Sequence, residues 1–168
     1  ISSPDELGTS VAYSLDGKSM AAGTEHGSIA VMNMESGDVR EVGEKSGNKI
    51  HKIAFSPDGK VLAVAEEYIE YADWSIRILS VETAETIKEI SSYSSGITDI
   101  ELSPDGKWLA TAGDDQMIRI LSTEDWSEIY RICGHTQKIW SIAFHPEGSI
   151  IAAADNEMNI HLWSPQIM

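Results

Sequence analysis

A single cysteine, Cys133, leaves no partner for an intramolecular disulfide and no cluster able to hold zinc. That scarcity fits a reducing interior, and the expected location is intracellular and cytoplasmic. Positive charge is scarce too. Lys and Arg total 12 against 27 Asp and Glu, a formal net charge of −15. A chain that acidic repels phosphate, so direct contact with nucleic acid or an anionic membrane surface is not expected. No apolar run approaches the roughly 18 residues of a membrane span. Residues 1–8 lack a basic n-region and an apolar h-region, and the sequence opens on Ile1, not Met. It therefore reads as a processed chain or a piece of a longer one. Long segments of helical apolar period are missing as well, which excludes a helical bundle. Apolar residues at 42% and charged residues at 23% are nevertheless ordinary for a globular protein.

Catalytic constellations are also lacking. His26, His51, His135, His145 and His161 form no HExxH spacing and have no cysteine partner. No Gly-x-Ser-x-Gly elbow occurs, and no glycine-rich segment leads into a helix to make a phosphate loop. Carboxylates are abundant, but a catalytic pair needs two acids in opposed environments across a cleft. Neither a cofactor nor a metal is expected.

What the chain does contain is repetition. Ser56-Pro57-Asp58-Gly59-Lys60 returns as Ser103-Pro104-Asp105-Gly106-Lys107, with looser copies at Ser14-Leu15-Asp16-Gly17-Lys18 and His145-Pro146-Glu147-Gly148-Ser149. The four glycines are spaced 42, 47 and 42 residues apart. Proline presets φ at a turn corner and glycine tolerates the positive φ that tight connections need. An alternating or apolar run precedes each turn (Val11–Tyr13, Ile53–Phe55, Ile100–Leu102, Ile142–Phe144), and a run of small residues follows, such as Leu109-Ala110-Thr111-Ala112. A third run follows, as at Ile118–Leu121. The pattern predicts units of four antiparallel strands at the period of a propeller blade.

The turn, the period and the segment from Gly134-His135 to Trp163 resemble the WD-repeat family. The resemblance implies an all-β fold: β-propeller blades of four antiparallel strands forming part of one domain over 1–168. The blades fall at about 9–46, 47–93, 94–135 and, partially, 136–168, the last lacking its outer strand. It also implies a buried hydrogen-bonded chain of Trp163, Ser141, His135 and Glu157, with Glu157 where the family has Asp. Other blades depart from that set: Asp115 stands with Asp99 and Leu121, Asp73 with Lys52 and Leu79, and Ser10 with His26 and Met32. Four blades leave strand edges and an apolar face open. Further blades of the same longer chain, or of a second copy, are the expected cover.

The implied function is a non-catalytic scaffold that binds a protein or peptide through the loop face. A regulatory or sensor array within a larger effector protein is one alternative. A propeller enzyme with a central-channel site is another, although the inner-strand positions Ser10, Lys52, Asp99 and Ser141 are no obvious catalytic set. Blade two carries an insertion, Glu66–Ser75, rich in aromatics and carboxylates. Tyr68, Tyr71, Asp73 and Trp74 are its candidate partner-binding residues, with Trp140 on the same predicted face, and the carboxylates favour a basic partner.

Overall fold

A computed structural model of the chain describes residues 6–68, 73–93 and 95–164. It holds two compact units, Ile1–Ser94 and Ser95–Met168. Every regular element among the described residues is a strand, and no helix is long and apolar enough to cross a membrane.

In the first unit, β1 (Gly8–Tyr13), β2 (Ser19–Thr24), β3 (Ile29–Asn33) and β4 (Val39–Glu41) form one antiparallel meander. The strands β5 (Lys49–Phe55), β6 (Val61–Tyr68), β7 (Asp73–Ser80) and β8 (Thr86–Tyr93) form the second. In the second unit, β9 (Ile97–Leu102), β10 (Trp108–Gly113), β11 (Ile118–Ser122) and β12 (Glu128–Ile132) make a four-stranded sheet. The last sheet has three strands among the described residues: β13 (Ile139–Phe144), β14 (Ile151–Asp155) and β15 (Ile160–Trp163).

The repeated turn builds the β1–β2, β5–β6 and β9–β10 connections from the same bonds. Ser14, Ser56 and Ser103 donate Oγ–H to Asp16, Asp58 and Asp105 at 2.6–2.7 Å. Each carboxylate also accepts the N–H of the following Lys at 3.0–3.1 Å. The glycine after each Asp sits at φ near +70°, where a side chain would be strained. These bonds exist only in the fold, and they hold all three carboxyls below their ordinary value. At Asp16 the Lys18 N–H leads, at Asp58 the Ser56 hydroxyl leads, and at Asp105 burial pulls upward but Ser103 and Lys107 outweigh it.

Within each unit the two sheets stack on an apolar core. Ala21, Ile29 and Val31 of the first sheet meet Ile50, Ile53, Leu62, Val64 and Leu79 of the second. Ala110, Ala112, Ile118 and Ile120 meet Ile142, Phe144, Ile151 and Ala153 in the same manner. Hydrogen bonds cross between the stacked sheets at matching positions. Ile53 N–H donates to Ser10 Oγ at 3.1 Å, and Ile142 N–H donates to Asp99 Oδ2 at 2.9 Å.

The described residues of the insertion, 66–68 and 73–75, are strand and not loop. They lengthen the β6–β7 hairpin, with Glu66 paired to Ser75, Glu67 to Trp74 and Tyr68 to Asp73. Glu66 and Ser75 are buried. Arg77 donates Nε–H (3.1 Å) and Nη2–H (2.5 Å) to Glu66 Oε1, and Nη1–H to the Glu44 carbonyl at 2.6 Å. The run Ile76-Arg77-Ile78 forces this arrangement. Strand alternation turns Arg77 to the same face as buried Leu79, and a buried guanidinium requires a carboxylate.

Candidate functional site

All four first strands carry an irregularity at one position. The pairing register slips between Gly8 and Ser10, between Ile50 and Lys52, and between Ile139 and Ser141, and β9 skips Thr98 against Ala112 and Gly113. The extra residues are Thr9, His51, Thr98 and Trp140. A β-bulge re-aims one side chain at the end of a strand. In each blade it aims that side chain toward the turn between second and third strands.

What the bulge presents differs. Thr9 donates to the carbonyl of Gly23 in its own sheet at 3.2 Å, whereas the Thr98 hydroxyl lies 3.1 Å from the Ala112 carbonyl of its own sheet and only 2.6 Å from the Ile139 carbonyl of the next. His51 faces Glu67 at 2.8 Å and lies against the Trp74 ring, with centroids 4.3 Å apart. Trp140 is 53% exposed. Its Nε1–H donates to Asn156 Oδ1 at 3.0 Å, and Lys138 Nζ stands 4.2 Å from the ring centroid. The Lys138 ammonium also meets Asp114 Oδ1 at 2.6 Å, and the Asn156 N–H donates to the Lys138 carbonyl at 2.9 Å. One aromatic plane, one cation and one carboxylate thus share the bulge end of the second unit.

The residues expected in a binding loop separate. Trp74 is half-buried against His51, and Asp73 is exposed. Tyr68 donates its hydroxyl hydrogen to Glu89. Tyr71 lies outside the described residues. Of the described carboxylates expected to attract a basic partner, Glu66 is engaged by Arg77 and Glu67 by His51, and Asp73 stays exposed.

The buried chain also differs from its expected membership. Trp163 Nε1–H donates to His135 Nε2 at 3.1 Å. The acid beside His135 is Asp155, at 3.6 Å from Nδ1, not Glu157. Glu157 is exposed and accepts from Gln137 at 3.1 Å, while Asp155 is fixed from within its own turn by the N–H groups of Glu157 (2.9 Å) and Asn159 (3.1 Å). An acid on the strand is already aimed inward, whereas one at the turn apex points to water. Ser141 is not in this chain either. It donates to Asp99 Oδ2 of the preceding sheet at 2.8 Å. Gly134 has φ +144° and lies so near the Trp163 ring that a Cβ would stand 2.7 Å from it, which is why glycine precedes His135.

His161, which the sequence reading did not place in this chain, approaches Asp155 at 3.3 Å. The ligand atoms of His135, Asp155 and His161 lie within 4.8 Å of one another. That spacing suits one cation, but the indole decides otherwise. A His135 Nε2 that accepts from Trp163 puts the ring proton on Nδ1, where it faces Asp155 and occupies the coordinating position. Burial, and next the neighbouring His161, push the His135 imidazole below its ordinary value, so the ring stays neutral near pH 7.

The WD domain, G-beta repeat family matches residues 84–122 and 126–164. These two segments are repeats of the WD-repeat β-propeller kind. The chain's relatives are longer proteins. Human WD repeat-containing protein 36 is 30% identical over 70 residues, 39% of this chain and 8% of that protein. Human apoptotic protease-activating factor 1 is 29% identical over 108 residues, 60% of this chain and again 8% of that protein. The fold is shared by a chain in a crystal structure of the mitotic checkpoint complex, with TM-score 0.82 at 19% identity, covering 97% of this chain and 49% of that one.

Proposed function

We propose that this chain is a non-catalytic interaction module that takes a protein or peptide segment at the bulge end of its second unit. The observation that carries this reading is Trp140: a large ring, half open to solvent, whose orientation is fixed by Asn156 and Lys138 before any ligand arrives. A held aromatic side chain offers wide contact area at small entropic cost, which is why tryptophan is enriched among residues that dominate binding. Asp114 and Lys138 beside it supply one acceptor and one donor to orient a backbone or polar side chain. WD repeats are generally protein-interaction scaffolds, which agrees with this. The charge of −15 favours a ligand of net positive charge. A single exposed thiol, Cys133, suits the proposed cytoplasmic setting.

The test is a random-peptide display selection against the 168-residue chain. Selected peptides should lose at least tenfold in affinity to Trp140→Ala while the melting temperature of that variant stays unchanged. Equal affinity for Trp140→Ala would sink the proposal.

A second reading has its own support. The matched segments take up 8% of each of the two longer human relatives. A regulatory or sensor array inside a larger effector protein fits that proportion. The length of the intact gene product, and an effector domain in it, would decide for this reading.

A further inference from the structure

The notch between Trp140 and Asp114 already holds a cation, and that cation is the chain's own. Lys138 Nζ stands 4.2 Å from the Trp140 ring centroid and 2.6 Å from Asp114 Oδ1. A ring face attracts positive charge through its quadrupole, and a carboxylate does so through charge-assisted hydrogen bonds. The walls of the notch are fixed. The Asp114 N–H donates to the Gly96 carbonyl at 2.9 Å. A Cβ on Gly96 would stand 2.7 Å from Asp114 Oδ2, so the glycine leaves room for the carboxylate. Asn156 holds the ring by its Nε1–H at 3.0 Å.

The cation is the loose part. The Lys138 side chain is 32% exposed and reaches the notch on a flexible four-carbon stem. Its backbone is tied separately, the Lys138 carbonyl accepting from the Asn156 N–H at 2.9 Å. The ammonium can therefore leave without moving the strand. The neighbouring Asp115 differs: its partner at 2.5 Å is Arg119, whose side chain is half as exposed at 15%.

We propose that Lys138 stands in for an arginine side chain of the bound peptide, which takes the Trp140 face and the Asp114 carboxylate while the lysine swings out. The inference rests on the Trp140 reading above and names the residue that the site selects. A guanidinium suits the notch better than the ammonium it replaces. It is flat and lies along a ring, it is more weakly hydrated, and its fork of N–H donors spans both carboxylate oxygens, whereas Lys138 meets Asp114 through Oδ1. The exchange is charge for charge, so Asp114 is never left alone. It also frees a donor at the rim, because the displaced ammonium becomes available to a ligand carbonyl. A tethered lysine competes at high effective concentration, so the site resists isolated cations and yields to a peptide that adds further contacts. The net charge of −15 favours the approach of such a peptide.

The probe is capped Gly-Gly-Arg-Gly-Gly, with citrulline and lysine versions, titrated into the full 168-residue chain. Binding is followed by NMR at the Trp140 indole N–H and the Lys138 ε-methylene. In the free chain the ring shields the ε-methylene protons, and saturation with the arginine peptide should remove that shielding. Lys138→Met removes the competitor and should tighten arginine binding roughly fivefold. Lys138→Gln replaces it should that variant unfold. Lys107→Met, which removes the same charge at the turn end, should leave binding unchanged. The citrulline version keeps the shape without the charge and should bind about tenfold more weakly, with the lysine version between the two. An ε-methylene that stays shielded in the complex, a Lys138 variant that binds the arginine peptide no better than wild type, or a citrulline peptide that binds equally well overturns the proposal. Display-selected peptides that depend on Trp140 but tolerate citrulline for every arginine overturn it too and leave the module reading standing. Selected peptides indifferent to Trp140→Ala overturn both.

Discussion

Glu66 and Arg77 illustrate how far single residues could be read ahead of the fold. Acidic residues beside an insertion suggest a solvated loop, yet Glu66 is 2% exposed and ion-paired. Burial pushes its carboxyl above the ordinary value against the pull of Arg77. Removing one member of such a pair leaves the other charge buried alone. Glu66→Gln should therefore cost roughly 3–5 kcal/mol of stability in urea unfolding. A loss under about 1 kcal/mol would show that Arg77 finds other acceptors. The two outward tryptophans should separate in the same assay. Trp74→Ala removes a half-buried ring from His51 and should destabilise by roughly 1–3 kcal/mol, whereas Trp140→Ala should fall within the roughly 0.5 kcal/mol of ordinary surface changes. Glu157 and Asp155 carry a related lesson. The motif position pointed to Glu157, but the strand aims Asp155 inward two residues earlier, and no residue-type rule distinguishes the two acids without the backbone.

At the scale of the element, the turn was legible and the bulge was not. The turn announces itself because Ser, Asp and Gly each perform a separate task in it. The bulge admits side chains of different chemistry: a hydroxyl at Thr9 and Thr98, an imidazole at His51 and an indole at Trp140. A signal was nevertheless present. Ile50 and Ile53, Ile97 and Ile100, and Ile139 and Ile142 are all buried, and a spacing of three within a strand demands one extra residue to restore the alternation. The hairpin extension was hidden for a different reason. Its polar residues alternate between a face paired through Glu66 and Arg77 and a face paired through Glu67 and His51, so composition alone imitates a loop. The turns also predict a pH response. Asp16, Asp58 and Asp105 have carboxyls lowered in the fold, so the folded state binds protons less readily than the unfolded chain. Their contribution is present above the unfolded carboxylate range, near pH 4, and is lost as pH falls through the lowered folded values. The melting temperature should drop between pH 5 and pH 3. In Asp58→Asn it should start lower and fall less steeply, and an unchanged slope would show that the Asp58 bonds add nothing.

For the whole molecule, the period and the four-stranded unit could both be anticipated, because repetition amplifies a weak local signal fourfold. The site could not be. Trp140 was one of five candidates of similar appearance, and it is distinguished only by the contacts of Asn156, Lys138 and Asp114, which come from three separate connections. The resulting account is of rigid blades that hold one aromatic ring out to a ligand at the bulge end, opposite the Ser-x-Asp-Gly turns. The most direct measurement is amide chemical-shift mapping of the 168-residue chain titrated with a selected peptide. The account predicts shifts concentrated at Thr98, Asp114, Lys138, Trp140 and Asn156, together with the Trp140 indole N–H. Shifts concentrated instead at Asp105, Gly106, Glu147 and Gly148, on the turn end of the same unit, would contradict it.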